Sequence, residues 1–160
     1  MKPAPVPTLY EWIGGAPAVG ALIERFYARV KADETLAPVF RGMTADHPAH
    51  VAAFIGEVLG GPTSYSEGLG GHAGMIRHHM RRNLTETQRR RWIGLLLDTY
   101  EDLGLPNDPE VMSAFVGYLE WGSRLAVLNS QPGVPDPKPS PMPKWGWGEV
   151  GGPYQQEDNP

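Results

Sequence analysis

His72-Ala73-Gly74-Met75-Ile76-Arg77-His78-His79 reads as a short helix that ends on two adjacent imidazoles. Neighbouring residues diverge by about 100° around a helix, so His78 and His79 cannot both ligate one ion from this segment. One can face a bound group while the other faces water. Upstream, Gly60 to Gly71 contains five glycines and Pro62 and is predicted to be a loop. Downstream, Arg81-Arg82-Asn83 breaks the helical pattern before a longer helix over Thr85 to Gly104. There Thr85 and Gln88 have the spacing of a capping box, Trp92, Leu95, Leu96, Thr99 and Leu103 form one stripe, and Gly104 can take the positive φ at the end.

Further out, the helical period continues in both directions. Thr8-Leu9-Tyr10-Glu11 opens a short helix that Gly14-Gly15 stops, and Val19, Leu22, Ile23, Phe26 and Val30 lie on one face of a helix over Ala18 to Ala32, with Tyr27 at the border of the stripe. Leu36 to Phe40 reads as a turn of helix around Pro38. Asp46-His47-Pro48 then supplies a cap and a first-turn proline for a helix whose face carries His47, Val51, Phe54 and Val58. Asp108-Pro109 opens the last helix, with a stripe of Met112, Phe115, Val116, Leu119 and Ala126 widened by Trp121, Leu125 and Leu128. The expected domain plan is a flexible segment 1–7, a helical domain 8–130 and an extension 131–160. That extension has eight prolines and five glycines, so no regular core element is expected in it. Leaving Trp145, Trp147 and Tyr154 in water forgoes roughly 2 kcal/mol or more each, so the extension is expected to dock partly on the helices. No repeat and no strand-like alternation is present.

Composition narrows the function classes. A length of 160 residues fits one domain. Eighteen acidic residues against 14 Lys and Arg, a net charge of −4, argue against nucleic acid as a partner. The basic run Arg77 to Arg90 reads as a solvated face, with pairing of an acidic ligand as the other reading. The absence of Cys removes disulfides, thiolate metal sites, iron–sulfur clusters and thiol catalysis. No apolar run approaches 18 residues and Met1 to Pro7 does not read as a targeting signal, so a cytoplasmic protein without a membrane partner is expected.

A neutral imidazole is a standard axial ligand of haem iron. A lone histidine carries little weight, but here it accompanies Tyr27, Phe40 and Trp92, a further imidazole at His47, and more bulky apolar side chains than short helices need for mutual packing. The glycines at 60, 61, 70 and 71 lack the strand, spacing and Lys-Ser/Thr of a phosphate cradle. His47-Pro48-Ala49-His50 resembles a zinc pair only superficially, and no nucleophile elbow is present.

The joint pattern Thr8-Leu9-Tyr10…Gly14-Gly15, Phe26-Tyr27, Val39-Phe40, Gly60-Gly61-Pro62…Tyr65-Ser66-Glu67, Gly71-His72…Met75…His79, Trp92 and Tyr118-Leu119-Glu120 resembles the truncated haemoglobins, specifically their second group. The tail through Trp145-Gly146-Trp147 is similar to extensions in a bacterial subset of that group. The resemblance implies an all-α, two-over-two helical sandwich around haem b (iron protoporphyrin IX). It makes His79 the proximal iron ligand, Tyr27 and Trp92 the distal hydrogen-bond donors, and Phe40 the ring that packs on the porphyrin. It also places His47 on the distal side facing bound ligand, with Val51 as its apolar neighbour. Phe54, Tyr65 and Met75 complete the expected cofactor surface, and His50 is a surface residue. Of Arg77, Arg81 and Arg82, at least one is expected to pair with a haem propionate.

The implied activity is reversible O₂ binding, with CO, NO and peroxide as further ligands, and a homodimer is a family expectation. Two alternatives stand beside it: a haem-based NO dioxygenase or peroxidase supplied by an external electron donor, and a helical protein-interaction module without haem.

Overall fold

A computed structural model describes residues 5–153, and all of its elements among these are helical. They are α1 (Leu9–Ile13), α2 (Gly15–Ala32), α3 (His47–Val58), α4 (Ser64–Gly68), α5 (Gly71–His79), α6 (Glu86–Asp102), α7 (Pro109–Asn129) and a final 3-10 turn, Gly148–Val150. Helix α2 packs against α3, α6 against α7, and α2 against α6, which joins the two pairs into a sandwich.

The apolar stripes decide which faces meet. On α2 Val19, Leu22, Ile23, Phe26 and Val30 are all buried, and so is Tyr27 at their border. On α6 the capping box forms, with Thr85 Oγ1 accepting from the Gln88 amide at 3.2 Å and Gln88 Oε1 from the Thr85 amide at 3.0 Å. On α7 the buried set is Val111, Ala114, Phe115, Tyr118 and Leu119. Met112 and Val116 are only partly buried, so the face is rotated from the expected stripe. Asp108 caps α7 through the Val111 amide at 3.3 Å and accepts the Trp12 indole N–H at 2.9 Å, which ties α1 to α7.

Four local differences from expectation have identifiable causes. Helix α2 begins at Gly15 rather than Ala18, because Gly14 turns the chain at φ 128° and Pro17 is tolerated in a first helical turn. The Leu36 to Phe40 segment forms successive turns rather than a helix. Asp46 does not cap α3: its carboxylate accepts the Thr44 hydroxyl instead. The glycine-rich stretch contains α4, whose Ser66 amide donates to Glu57 at 2.9 Å. This capping carboxylate comes from α3 and is itself buried, a long-range supply that local turn signals do not reveal.

Glycine is required where α3 ends. A Cβ on Gly60, at φ 99°, would lie 2.8 Å from Thr8, and one on Gly61 would lie 2.8 Å from the Gly56 carbonyl. The close approach lets the Tyr10 amide reach the Leu59 carbonyl at 3.0 Å.

Residues 130–153 run back across the helices. The Trp145 amide donates to the Val58 carbonyl at 2.8 Å, and the Trp147 indole donates to the Pro7 carbonyl at 2.7 Å. Trp147 is buried and meets Trp12 edge-on, with ring centroids 6.2 Å apart. Trp147→Ala is therefore expected to destabilise the fold by about 3 kcal/mol, seen as a lower urea midpoint at unchanged m. An unaltered midpoint would show that this contact contributes nothing. Tyr154 and Met1 to Ala4, which the sequence reading touched on, lie outside the described residues.

Candidate functional site

Between the helix pairs lies a cavity of about 450 Å³. His79, the last residue of α5, forms part of its wall together with Met75. The His79 ring donates a hydrogen bond to the Met75 carbonyl one turn earlier, which orients the imidazole and leaves its second nitrogen for the cavity. Desolvation pushes its pKa down to about 4, with Arg82, His78 and His47 adding to the shift and the Met75 bond opposing it. The ring is neutral near pH 7, the protonation state that ligates a metal.

A second wall holds Tyr27 from α2, Trp92 from α6 and His47 from α3. Burial pushes the pKa of the Tyr27 phenol up and keeps it protonated, and a hydrogen bond with Trp92 opposes that rise. Indole N–H is donor only, so Trp92 donates to the phenol oxygen and the phenol hydrogen remains available. Tyr27 is fixed edge-on by its neighbours, with centroids 4.9 Å from His47 and 5.5 Å from Phe40. Trp92 stands edge-on to Phe26 at 5.4 Å. The His47 pKa is lowered, first by burial and then by Arg82, His78 and His50. Its Nε2 is buried without a hydrogen-bond partner.

Val51 and Phe54 continue the lining along α3, and Tyr65 of α4 meets Phe54 edge-on at 5.0 Å. The structure thus brings ten of the twelve sequence-selected residues to one cavity; Arg77 and Arg81 are not among its lining residues. Both are exposed, whereas Arg82 lines the cavity. Their separation follows from the end of α5, where Arg81 takes φ 63° and the chain changes direction. His50 does not join His47 in a metal pair: its Nε2 lies 3.5 Å from Asp46 while His47 lines the cavity. Among the described residues no group of three or more His, Asp or Glu could hold a metal ion.

Further lining residues escaped the sequence reading as site residues. Tyr118, Trp121 and Leu125 of α7 line the cavity, as does Arg89 of α6. The breadth of the apolar surface on α7 was the available signal for the first three. Arg89 had none, since its burial comes from Glu86 and Glu120, which hold it at 2.6 and 3.2 Å.

An all-helical sandwich with a cavity lined by a neutral imidazole, a phenol and an indole is the truncated-globin architecture. The bacterial-like globin family matches residues 8–120, and the chain belongs to that family. The group 2 truncated hemoglobin YjbI of Bacillus subtilis (strain 168) is 28% identical over 122 residues, covering 76% of this chain and 89% of that protein. The group 1 truncated hemoglobin GlbN of Nostoc sp. (strain MUN 8820) is 39% identical over 59 residues, 36% of this chain and 50% of that protein, so the match spans half of that relative's length. The solved structure of truncated oxygen-avid haemoglobin from Bacillus subtilis superposes with a TM-score of 0.67 at 27% identity, covering 76% of this chain and 99% of that one.

Globin membership implies a haem cofactor. The residues present fit such a group: a half-buried neutral imidazole with one nitrogen free, apolar side chains on several walls, and an unpartnered buried Nε2 on His47 that needs a polar counterpart inside the cavity. No helix among the described residues is long and apolar enough to cross a membrane.

Proposed function

We propose that this chain is a cytoplasmic haem protein that holds haem b through His79 and reversibly binds O₂, and likewise CO and NO, on the side of Tyr27 and Trp92. The observation that carries this reading is that one cavity is lined both by the neutral His79 ring and by the hydrogen-bonded Tyr27–Trp92 pair. The description of the Bacillus subtilis neighbour as oxygen-avid supports O₂ as the ligand. When bound, the haem supplies an iron coordination position and electron density that leaves partial negative charge on a diatomic ligand.

The chain's own residues are disposed to use that charge. Because Trp92 donates to the Tyr27 oxygen, the phenol O–H is free to donate into the cavity. Such donors count for more in a low-dielectric site than in water. The Met75 carbonyl holds the His79 ring in one orientation and keeps a proton on the nitrogen that faces away from the cavity. His47 can hold or donate a proton at Nε2, while Val51, Phe54 and Tyr65 exclude water. Arg82, a cavity-lining cation, would pair with a haem carboxylate.

Absorption spectra of the haem-reconstituted protein in the ferric, ferrous and CO-bound states test the reading. A Soret band at one haem per chain that shifts on reduction and on CO addition is expected. Protein that shows no Soret band after haem addition would instead be a helical interaction module with ordinary core aromatics.

A further inference from the structure

We propose that the exposed arginines at the end of α5 form the docking surface for an acidic electron-transfer protein, an inference that rests on the haem reading of the neighbouring cavity. Residues 77–91 contain six arginines and one glutamate in a chain of net charge −4. Three of these cations are neutralised internally: Arg89 by Glu86 and Glu120, Arg90 by Glu86 at 3.1 Å, and Arg91 by Asp33 at 2.6 Å. The other three, Arg77, Arg81 and Arg82, have no carboxylate within ion-pair distance among the described residues, and all three are exposed.

This cluster is held in place. Arg81 and Asn83 occupy left-handed backbone at φ 63° and 49°, a conformation that non-glycine residues keep only when their surroundings enforce it. The enforcement comes from the two residues that follow α7: the Asn83 amide donates to the Ser130 carbonyl at 2.9 Å, the Leu84 amide to Ser130 Oγ at 2.9 Å, and the Gln131 side chain to the Leu84 carbonyl at 3.1 Å. The backbone that follows Arg81 and Arg82 is thus pinned; with Arg82 lining the cavity, Arg77 and Arg81 are left as surface cations that a negative protein face would neutralise.

Location and shape select the partner. Arg82 and His78 stand at the cavity mouth, while Arg77 and Arg81 lie outside it. A small anion is held by donors converging in a concavity. Arg77 and Arg81 are instead exposed outside the cavity, which suits an acidic protein face and speeds its encounter. Docking there places the partner beside α5's last residue, His79. The exchange is then one electron from a reduced flavoprotein or iron–sulfur protein to the haem iron, with no atom transferred and no bond broken.

Oxidised flavodoxin is a suitable acidic probe, titrated into the haem-loaded protein by calorimetry at several salt concentrations, with haem content read separately from the Soret band. The expected result is binding that weakens steeply with salt and falls about tenfold or more in the Arg77→Glu/Arg81→Glu variant, with Arg77→Gln/Arg81→Gln intermediate. Circular dichroism checks that each variant folds. The proposal is overturned if the charge-reversed protein binds flavodoxin as tightly as the parent. It is overturned equally if the parent shows no salt-sensitive binding, or if it binds duplex DNA or phosphatidylglycerol vesicles as strongly as flavodoxin. Failure of the haem reading appears as a missing Soret band in the unsubstituted protein, whereas failure of the docking reading appears in the isotherms.

Discussion

Haem uptake is expected to collapse on replacing His79 with alanine and to survive the same change at His78. The two imidazoles are neighbours in sequence, yet His78 is exposed while His79 is oriented by the Met75 carbonyl and desolvated. A ligand that stays neutral near pH 7 binds iron without first releasing a proton, and the His79 ring, which lines the cavity, is such a ligand. Titrating hemin into each variant and following the Soret band should give near-stoichiometric uptake for His78→Ala and weak, nonspecific absorption for His79→Ala. Free imidazole added to His79→Ala should restore part of the band, which separates loss of a ligand from loss of the fold. If His79→Ala took up haem normally and His78→Ala did not, the assignment of the iron ligand would have to be exchanged.

The second large effect is expected on ligand release. Trp92→Phe removes the N–H that pairs with the Tyr27 oxygen, and Tyr27→Phe removes both that acceptor and the phenol donor. A hydrogen bond to a charged ligand contributes about 1.5–3 kcal/mol, so Tyr27→Phe should speed O₂ dissociation roughly 10- to 100-fold; the Trp92 bond is to a neutral phenol and contributes about 0.5–1.5 kcal/mol, so Trp92→Phe should speed it roughly 2- to 10-fold. Because the two side chains share one bond, the double variant should fall short of the product of the single effects. Stopped-flow displacement of O₂ by CO measures all four proteins. Identical off-rates in parent and Trp92→Phe would mean that the indole is only a packing residue, and strict additivity would mean that the two groups act independently.

The helices were legible because burial follows period. Val19, Leu22, Ile23, Phe26 and Val30 recur at three- and four-residue spacing and are all buried, and the Thr85–Gln88 box and the Asp108 cap form as local hydrogen bonds. Where the partner came from far along the chain, local reading failed. Helix α4 depends on Glu57 of α3, and Asp46 found a nearer donor in Thr44 than the α3 amides. The arginines after α5 were equivalent in the sequence, but the turn at Arg81 sends Arg82 to the cavity and leaves Arg77 and Arg81 outside.

By itself, then, the order of residues determined an all-helical fold, because stripe, cap and turn are encoded within a few positions of one another, and its motifs carried the resemblance to the truncated haemoglobins. Only tertiary packing decided which side chains share the cavity, that Trp92 bonds to Tyr27, that His47 keeps an unpartnered nitrogen, and where Trp145 and Trp147 come to rest. The physical reason is range: helix formation is governed by neighbours one turn away, whereas desolvation and ion pairing depend on groups that only the folded chain brings together.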